Sequence, residues 1–186
     1  MKRFHRFSIF LCFCVLLTGT LQARHILGGS VTYVQTNDFT YQISIEILRD
    51  CNGGGAQFDD PAAISIYNDQ NELQQSFHES IDLIEPIDLM PQNTVCIFPN
   101  GICVEKGTYV FEITLPQNSG SYTISYQRCC RANIINNLVN PGEIGMTFTT
   151  EINTNIYNNS PVFSNDIPLA NFSGVSFIYD GSATDA

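Results

Sequence analysis

Tyr41, Ile43, Ile45 and Ile47 alternate with Gln42, Ser44 and Glu46. A period of two puts all four apolar side chains on one side of an extended chain, which is the pattern of a half-buried β-strand. The same period returns at Tyr109, Phe111, Ile113 and Leu115, at Tyr122, Ile124 and Tyr126, and at Ile144, Met146 and Phe148. Less regular strands are expected over residues 29–35, 62–68 and 73–83. No window of helical length carries a 3.6-residue apolar period. Turn formers separate the runs: Asn52-Gly53-Gly54-Gly55, Asn68-Asp69-Gln70-Asn71, Pro99-Asn100-Gly101, Pro116-Gln117-Asn118-Ser119-Gly120 and Asn140-Pro141-Gly142. About seven short strands at this spacing predict an all-β fold, an antiparallel immunoglobulin-like β-sandwich. The chain has no tryptophan, which sets it apart from antibody-type domains.

The amino terminus reads as an export signal. Lys2, Arg3 and Arg6 precede an apolar run over residues 7–17, and Thr18-Gly19-Thr20-Leu21-Gln22-Ala23 offers a small residue before a cut after Ala23. The run is too short for a membrane span, which needs ~20 apolar residues, and no later stretch is apolar enough to be one. Residues 1–23 take away three of the eight basic residues and none of the eighteen acids, so the exported chain carries a net charge of −13. Nucleic acid is an unsuitable partner for such a chain, because binding it relies on Lys and Arg neutralising phosphates. The expected location is secreted or at the outer cell surface.

Cys12 and Cys14 leave with the signal, so Cys51, Cys96, Cys103, Cys129 and Cys130 remain. In an exported chain these read as structural bridges. Zinc is the rival reading, but His25 and His78 stand alone without ligand spacing. Extending the inward parity of Ile47 reaches Cys51, and extending that of Tyr126 reaches Cys130, so a Cys51–Cys130 bridge between the two sheets is expected. Cys96 and Cys103 flank the short turn Ile97-Phe98-Pro99-Asn100-Gly101-Ile102 and are expected to close on each other. Cys129 then points the opposite way, unpaired or with another partner.

Asp50, Asp59 and Asp60 flank one glycine-rich loop. Hard carboxylate oxygens on a loop suit Ca²⁺, so these three are the candidate calcium ligands. No Asp-x-Asp-x-Asp-Gly sequence accompanies them, and the preferred expectation is that Asp59-Asp60-Pro61 caps a turn while Asp50 pairs with Arg49 or Arg131. No cofactor is otherwise implied. Arg128, at an inward parity, is expected to pair with an acid or bond to carbonyl groups, since a buried guanidinium needs partners. Neither a Gly-x-Ser-x-Gly elbow nor a Cys/His set with a local signature is present, and no catalytic residue is assigned. Asn158-Asn159-Ser160 and Asn171-Phe172-Ser173 match the N-glycosylation pattern.

Several stretches together carry a resemblance. They are His25-Ile26-Leu27-Gly28-Gly29, Arg49-Asp50-Cys51, Phe58-Asp59-Asp60-Pro61, residues 103–109, Tyr126-Gln127-Arg128-Cys129-Cys130-Arg131, Val139-Asn140-Pro141-Gly142 and Asn159-Ser160-Pro161-Val162-Phe163. With these the chain resembles the N-terminal domain of very large secreted Bacteroidota proteins, labelled as PKD-domain or gliding-motility-associated surface proteins. The resemblance covers nearly all of residues 24–186, and Tyr126 to Arg131 is its most specific part. It implies a non-enzymatic role in adhesion or surface structure. It also implies a chain heading an array of β modules, whose C-terminal sorting signal for type IX secretion is not in this sequence. Relatives tend to carry a further cysteine roughly where this chain has Phe172, which accounts for the odd number.

The expected organisation is thus a signal over 1–23, a sandwich over 24–157, and a linker with the start of a following module over 158–186. The expected partner is an extracellular protein or polysaccharide. The alternative from another class is a carbohydrate-binding or accessory module of a secreted hydrolase.

Overall fold

A computed structural model describes residues 25–52, 56–87, 103–117, 120–164, 174, 176 and 178–185. The expected signal and Cys96 lie outside the described residues. Eight strands build two antiparallel sheets: β1 (Ile26–Asn37), β2 (Thr40–Asp50), β3 (Ala62–Asn68), β4 (Leu73–Glu79), β5 (Leu83–Pro86), β6 (Val104–Thr114), β7 (Ser121–Arg128) and β8 (Met146–Asn153). One sheet has the order β1-β2-β6-β5 and the other β4-β3-β7-β8. Lettered along the chain as A, B, C, C′, D, E, F and G, these are ABED and C′CFG. That is the constant-type immunoglobulin arrangement with one strand added to the second sheet. The immunoglobulin-like β-sandwich expected from the alternation is the fold observed.

The alternation also identifies the core. Tyr41, Ile43, Ile45 and Ile47 of β2 are buried with Tyr109, Phe111 and Ile113 of β6, and they face Ile64, Ile66, Tyr122, Ile124 and Tyr126 of the other sheet. Aromatic rings fasten one layer to the other. Phe77 meets Phe111 edge-on at 5.3 Å and Tyr126 lies 6.1 Å from Tyr109 across the two layers, while Phe148 stacks on Tyr126 at 6.1 Å within its own sheet. Such pairs contribute about 0.5–1.5 kcal/mol each beyond the area they bury.

The single strand expected over residues 73–83 is two strands in different sheets. β4 ends at Glu79, and the chain crosses at residues 80–82 before β5 pairs with β6. Aspartates make the crossing. Asp60 Oδ1 accepts the Ile81 N–H at 3.3 Å, Asp82 Oδ2 accepts the Val110 N–H at 2.6 Å, and the Asp82 N–H donates to Thr108 O at 2.9 Å. Polar side chains take up backbone groups that the interrupted ladder leaves open, which is the requirement for a strand to change sheets.

The outer edge of β1 is capped by the segment expected to begin a linker. Ser160 donates its N–H to Tyr33 O at 2.9 Å and accepts the Tyr33 N–H on its hydroxyl at 2.9 Å. Asn159 Oδ1 accepts the Gln35 N–H at 2.8 Å, and Asn158 Nδ2 donates to the Tyr33 hydroxyl at 2.9 Å. The polar side chains of Asn158-Asn159-Ser160 thereby stand in for a ninth strand and blunt an edge that would otherwise be open to another chain. The glycosylation reading fits Asn158 poorly, because its amide is already engaged. Beyond it, β9 (Val162–Phe163) pairs with β10 (Ala183–Thr184).

β1 reaches the other sheet at Gly29. A Cβ there would lie 2.4 Å from Glu46 O and 2.9 Å from both Ile47 Cδ1 and Phe148 Cε1. Glu46 O is backbone and cannot move aside, so Gly29→Ala should destabilise the fold by about 1–3 kcal/mol. A urea midpoint unchanged from the parent would refute this close approach.

Candidate functional site

The two ends of the sandwich differ. At one end the strands are joined by short connections, residues 38–39, 69–72 and 115–120. The other end gathers the described residues 51–52, 56–61, 87, 103 and 129–145, together with the disulfides Cys51–Cys103 and Cys129–Cys130. Long connections on a rigid sandwich are where binding residues concentrate, as in the variable loops of antibodies.

The described part of the first long connection, residues 56–61, is clamped against the sheets by two arginines and two tyrosines. Arg49, 5 % exposed, continues the inward row of Ile43, Ile45 and Ile47 at the very end of β2. Its Nη1 donates to Ala56 O at 2.9 Å, its Nη2 and Nε reach Glu105 Oε2 at 2.6 and 3.2 Å, and its guanidinium lies 5.2 Å from the centre of the buried Phe58 ring. Arg128 ends β7 at the matching place on the other sheet. Its Nη2 donates to Gln57 O and lies 3.4 Å from Asp59 Oδ1. The Tyr126 hydroxyl donates to Asp59 Oδ2 and the Tyr109 hydroxyl to Asp59 O, each at 2.7 Å. Parity thus brings four polar ends from the inward rows to one loop. The expectation that Arg128 pairs with an acid is met by Asp59.

Burial of the two phenols raises the cost of ionising them. Desolvation first, then the charge of Asp59, pushes the Tyr109 hydroxyl up to about 12. Tyr126 is raised as well, by burial, by its hydrogen bond to Asp59 and by that carboxylate's charge.

The three aspartates do not gather. Asp59 is committed to Tyr126 and Arg128, Asp60 Oδ1 faces the Ile81 N–H, and Asp50 Oδ1 accepts the Asn52 N–H at 2.9 Å. Among the described residues, no group of three or more His, Cys, Asp or Glu side chains could hold a metal ion. The Asp50, Asp59 and Asp60 calcium set is therefore corrected: these carboxylates spend their oxygens on loop backbone and on buried donors. Arg49 takes Glu105 as its partner, and Asp50 does not serve it.

The disulfides also differ from expectation. Cys51 bonds to Cys103 and Cys129 to Cys130, in place of the Cys51–Cys130 and Cys96–Cys103 bridges. The ladder between β2 and β6 is the reason. Its last pair is Asp50 with Val104, so one further step sets Cys51 opposite Cys103, where the Cys51 N–H donates to Cys103 O at 3.1 Å and the Cα atoms are 5.1 Å apart. Parity fails for Cys130 because β7 stops at Arg128. The chain then turns to bridge β1, with the Ile26 N–H directed at Cys130 O at 3.5 Å and Arg131 paired with Ile26.

Residues 131–144 form the most prominent described loop. The Arg131 N–H donates to Ile144 O at 3.0 Å, the Ala132 N–H to Ile26 O at 2.9 Å, and a 3-10 turn over Pro141–Glu143 follows Asn140, whose backbone is left-handed at φ 50°. This is the closed base of an Ω-type loop. Above it Ile134 is 65 % exposed and Val139 84 % exposed, and no residue from Ala132 to Gly142 is charged. The sequence marks this loop by its Asn140-Pro141-Gly142 turn and, through the resemblance, by Val139 and Arg131. Four large aliphatic side chains, Ile134, Ile135, Leu138 and Val139, in an asparagine-rich stretch without strand alternation were the available signal.

The chain matches no family model, no curated protein and no solved structure.

Two outcomes are expected. Peptide mapping should recover Cys51 linked to Cys103, and replacing both by Ser should cost about 4 kcal/mol, from a loop of 52 residues; a Cys51–Cys130 peptide would contradict the register. An unfolded tyrosine ionises near pH 10, below the folded Tyr109 and Tyr126. The unfolded chain therefore releases these protons first, and stability should hold below about pH 10 and fall from there to about pH 12. Tyr109→Phe should shallow that fall in denaturant titrations, and an unchanged slope would count against its burial.

Proposed function

We propose that this chain is a non-enzymatic extracellular recognition domain of a secreted or cell-surface adhesin, meeting its partner through the long-loop end of the sandwich. The observation that carries the reading is the loop over residues 131–144. Its base is fixed by backbone hydrogen bonds, while its uncharged tip turns Ile134 and Val139 to solvent. A rigid base with an apolar tip loses little entropy on binding, so the aliphatic area it buries goes into affinity. The absence of charge on the tip matters in a chain that carries eighteen acids against eight bases, because contact there desolvates no carboxylate.

The resemblance to leading domains of gliding-motility-associated surface proteins supports the same reading. It adds surface attachment as the setting and the Bacteroidota secretion route as the means of export. The partner in this reading is an extracellular protein.

The test is binding of the fluorescently labelled exported chain to cell surfaces and extracellular material of the source organism. Ile134→Asp with Val139→Asp should reduce binding at least tenfold while leaving the melting curve in place, since both side chains are already exposed. Undiminished binding by the double variant would refute the loop as the contact. Competition by polysaccharide alone would instead favour a carbohydrate-binding module.

A further inference from the structure

We propose that Arg128 and His25 form a receiving site for one carboxylate, supplied by an acidic side chain of the protein partner. This deepens the recognition reading and rests on it. The Arg128 side chain is only 7 % exposed. Its Nη2 serves Gln57 O and Asp59, but its Nη1 is buried with no hydrogen-bond partner. His25 Nδ1 is buried and unpartnered in the same way. Both residues line one shallow depression, whose other walls are Ile26, Ala56 and Cys129.

A buried donor without an acceptor keeps the whole cost of its desolvation, and such groups in folded proteins mark places where something else belongs. Two unpartnered nitrogens on one depression call for an acceptor with two oxygens. A carboxylate supplies them, and guanidinium with carboxylate is the strong charge-assisted pairing. The backbone of Arg128 is already placed at the end of β7, and its Nη2 contacts hold the guanidinium plane, so Nη1 is oriented before the ligand arrives.

His25 is the movable wall. It precedes β1, and its carbonyl is held by the Asp50 N–H at 2.8 Å, so the proposed opening turns the imidazole about its own side-chain bonds with the backbone in place. Turning outward opens the way to Arg128 Nη1, and turning back lets Nδ1–H donate to the second oxygen. With His25 turned in, the depression leaves no room for a water molecule, so the carboxylate enters only as the imidazole swings out. A protein side chain is its source because the recognition reading makes the partner a protein.

The experiment titrates the isotopically labelled full chain with N-acetylglutamate α-methylamide, whose one carboxylate is the side chain, and follows the Arg128 and His25 side-chain resonances. Saturable shifts at both residues are expected, with none from N-acetylglutamine α-methylamide at equal concentration. His25→Ala, which leaves the Gln57 and Asp59 contacts of Arg128 intact, should weaken binding at least fivefold, and Arg128→Lys should abolish the shifts at His25. No saturable shift would overturn the site. An equal response to glucuronate would overturn the protein side chain as the source, and an equal response to chloride would reduce the site to an adventitious ion only. The Ile134→Asp and Val139→Asp variant separates the two proposals. If the loop-tip reading fails and the site is real, surface binding survives in that variant while the titration is unchanged. If the site fails alone, surface binding is lost in that variant and untouched in His25→Ala.

Discussion

Eleven consecutive residue pairs join β2 to β6 without a bulge, from Thr40 with Thr114 to Asp50 with Val104. Because the register never slips, every inward residue of one strand stays beside an inward residue of the other, and the tyrosine and isoleucine rows become a continuous wall. The same register sets Cys51 opposite Cys103 and Arg49 opposite Glu105. The pairing of β1 to β2 is looser, with shifts at Ile26/Gly28 and at Gln35/Asn37. Those irregular ends coincide with the places where β1 bends to touch other parts, Arg131 at one end and Asn159 near the other.

The two guanidinium groups that reach the core both lie at its loop end. Arg49 and Arg128 terminate inward rows on opposite sheets, and the loop over residues 56–61 lies between them with Phe58 as its apolar plug. A guanidinium at the end of a strand can bury its stem among apolar neighbours while its donors reach loop carbonyls. That is how a connection rich in backbone polar groups can sit on a hydrophobic core without leaving those groups unpaired. Asp59 then does double service: its carbonyl and its carboxylate each accept from a tyrosine whose ring belongs to the core. The loop end is thereby held at its base by donors from both sheets.

Much of this architecture was legible in the alternation. Residues 41–47, 109–115 and 122–126 announced their inward faces, and the inward parity of Arg128 announced that it would need a partner. Arg49 lay on the same row as Ile47 and could have been read in the same way. The crossing at residues 80–82 was not legible, since Leu73 to Leu83 shows no clear period and two sheets accept extended chain equally well. The disulfides were misread for a related cause. Parity fixes which face a residue points to, but the choice between neighbours in one sheet and residues across two sheets depends on register and strand ends.

The sequence by itself determined the fold class, the faces of the regular strands and the acidic charge, because a two-residue period and a count of ionisable groups are properties of the chain alone. Only the tertiary structure decided which cysteines meet, which acids hold loops instead of ions, and that His25 and Arg128 share one depression with a nitrogen each to spare. Most of these are relations between residues tens of positions apart, 52 between Cys51 and Cys103 and 67 between Asp59 and Tyr126, set by strand order and register, and no local pattern encodes a distance between segments that first become neighbours when the sheets close.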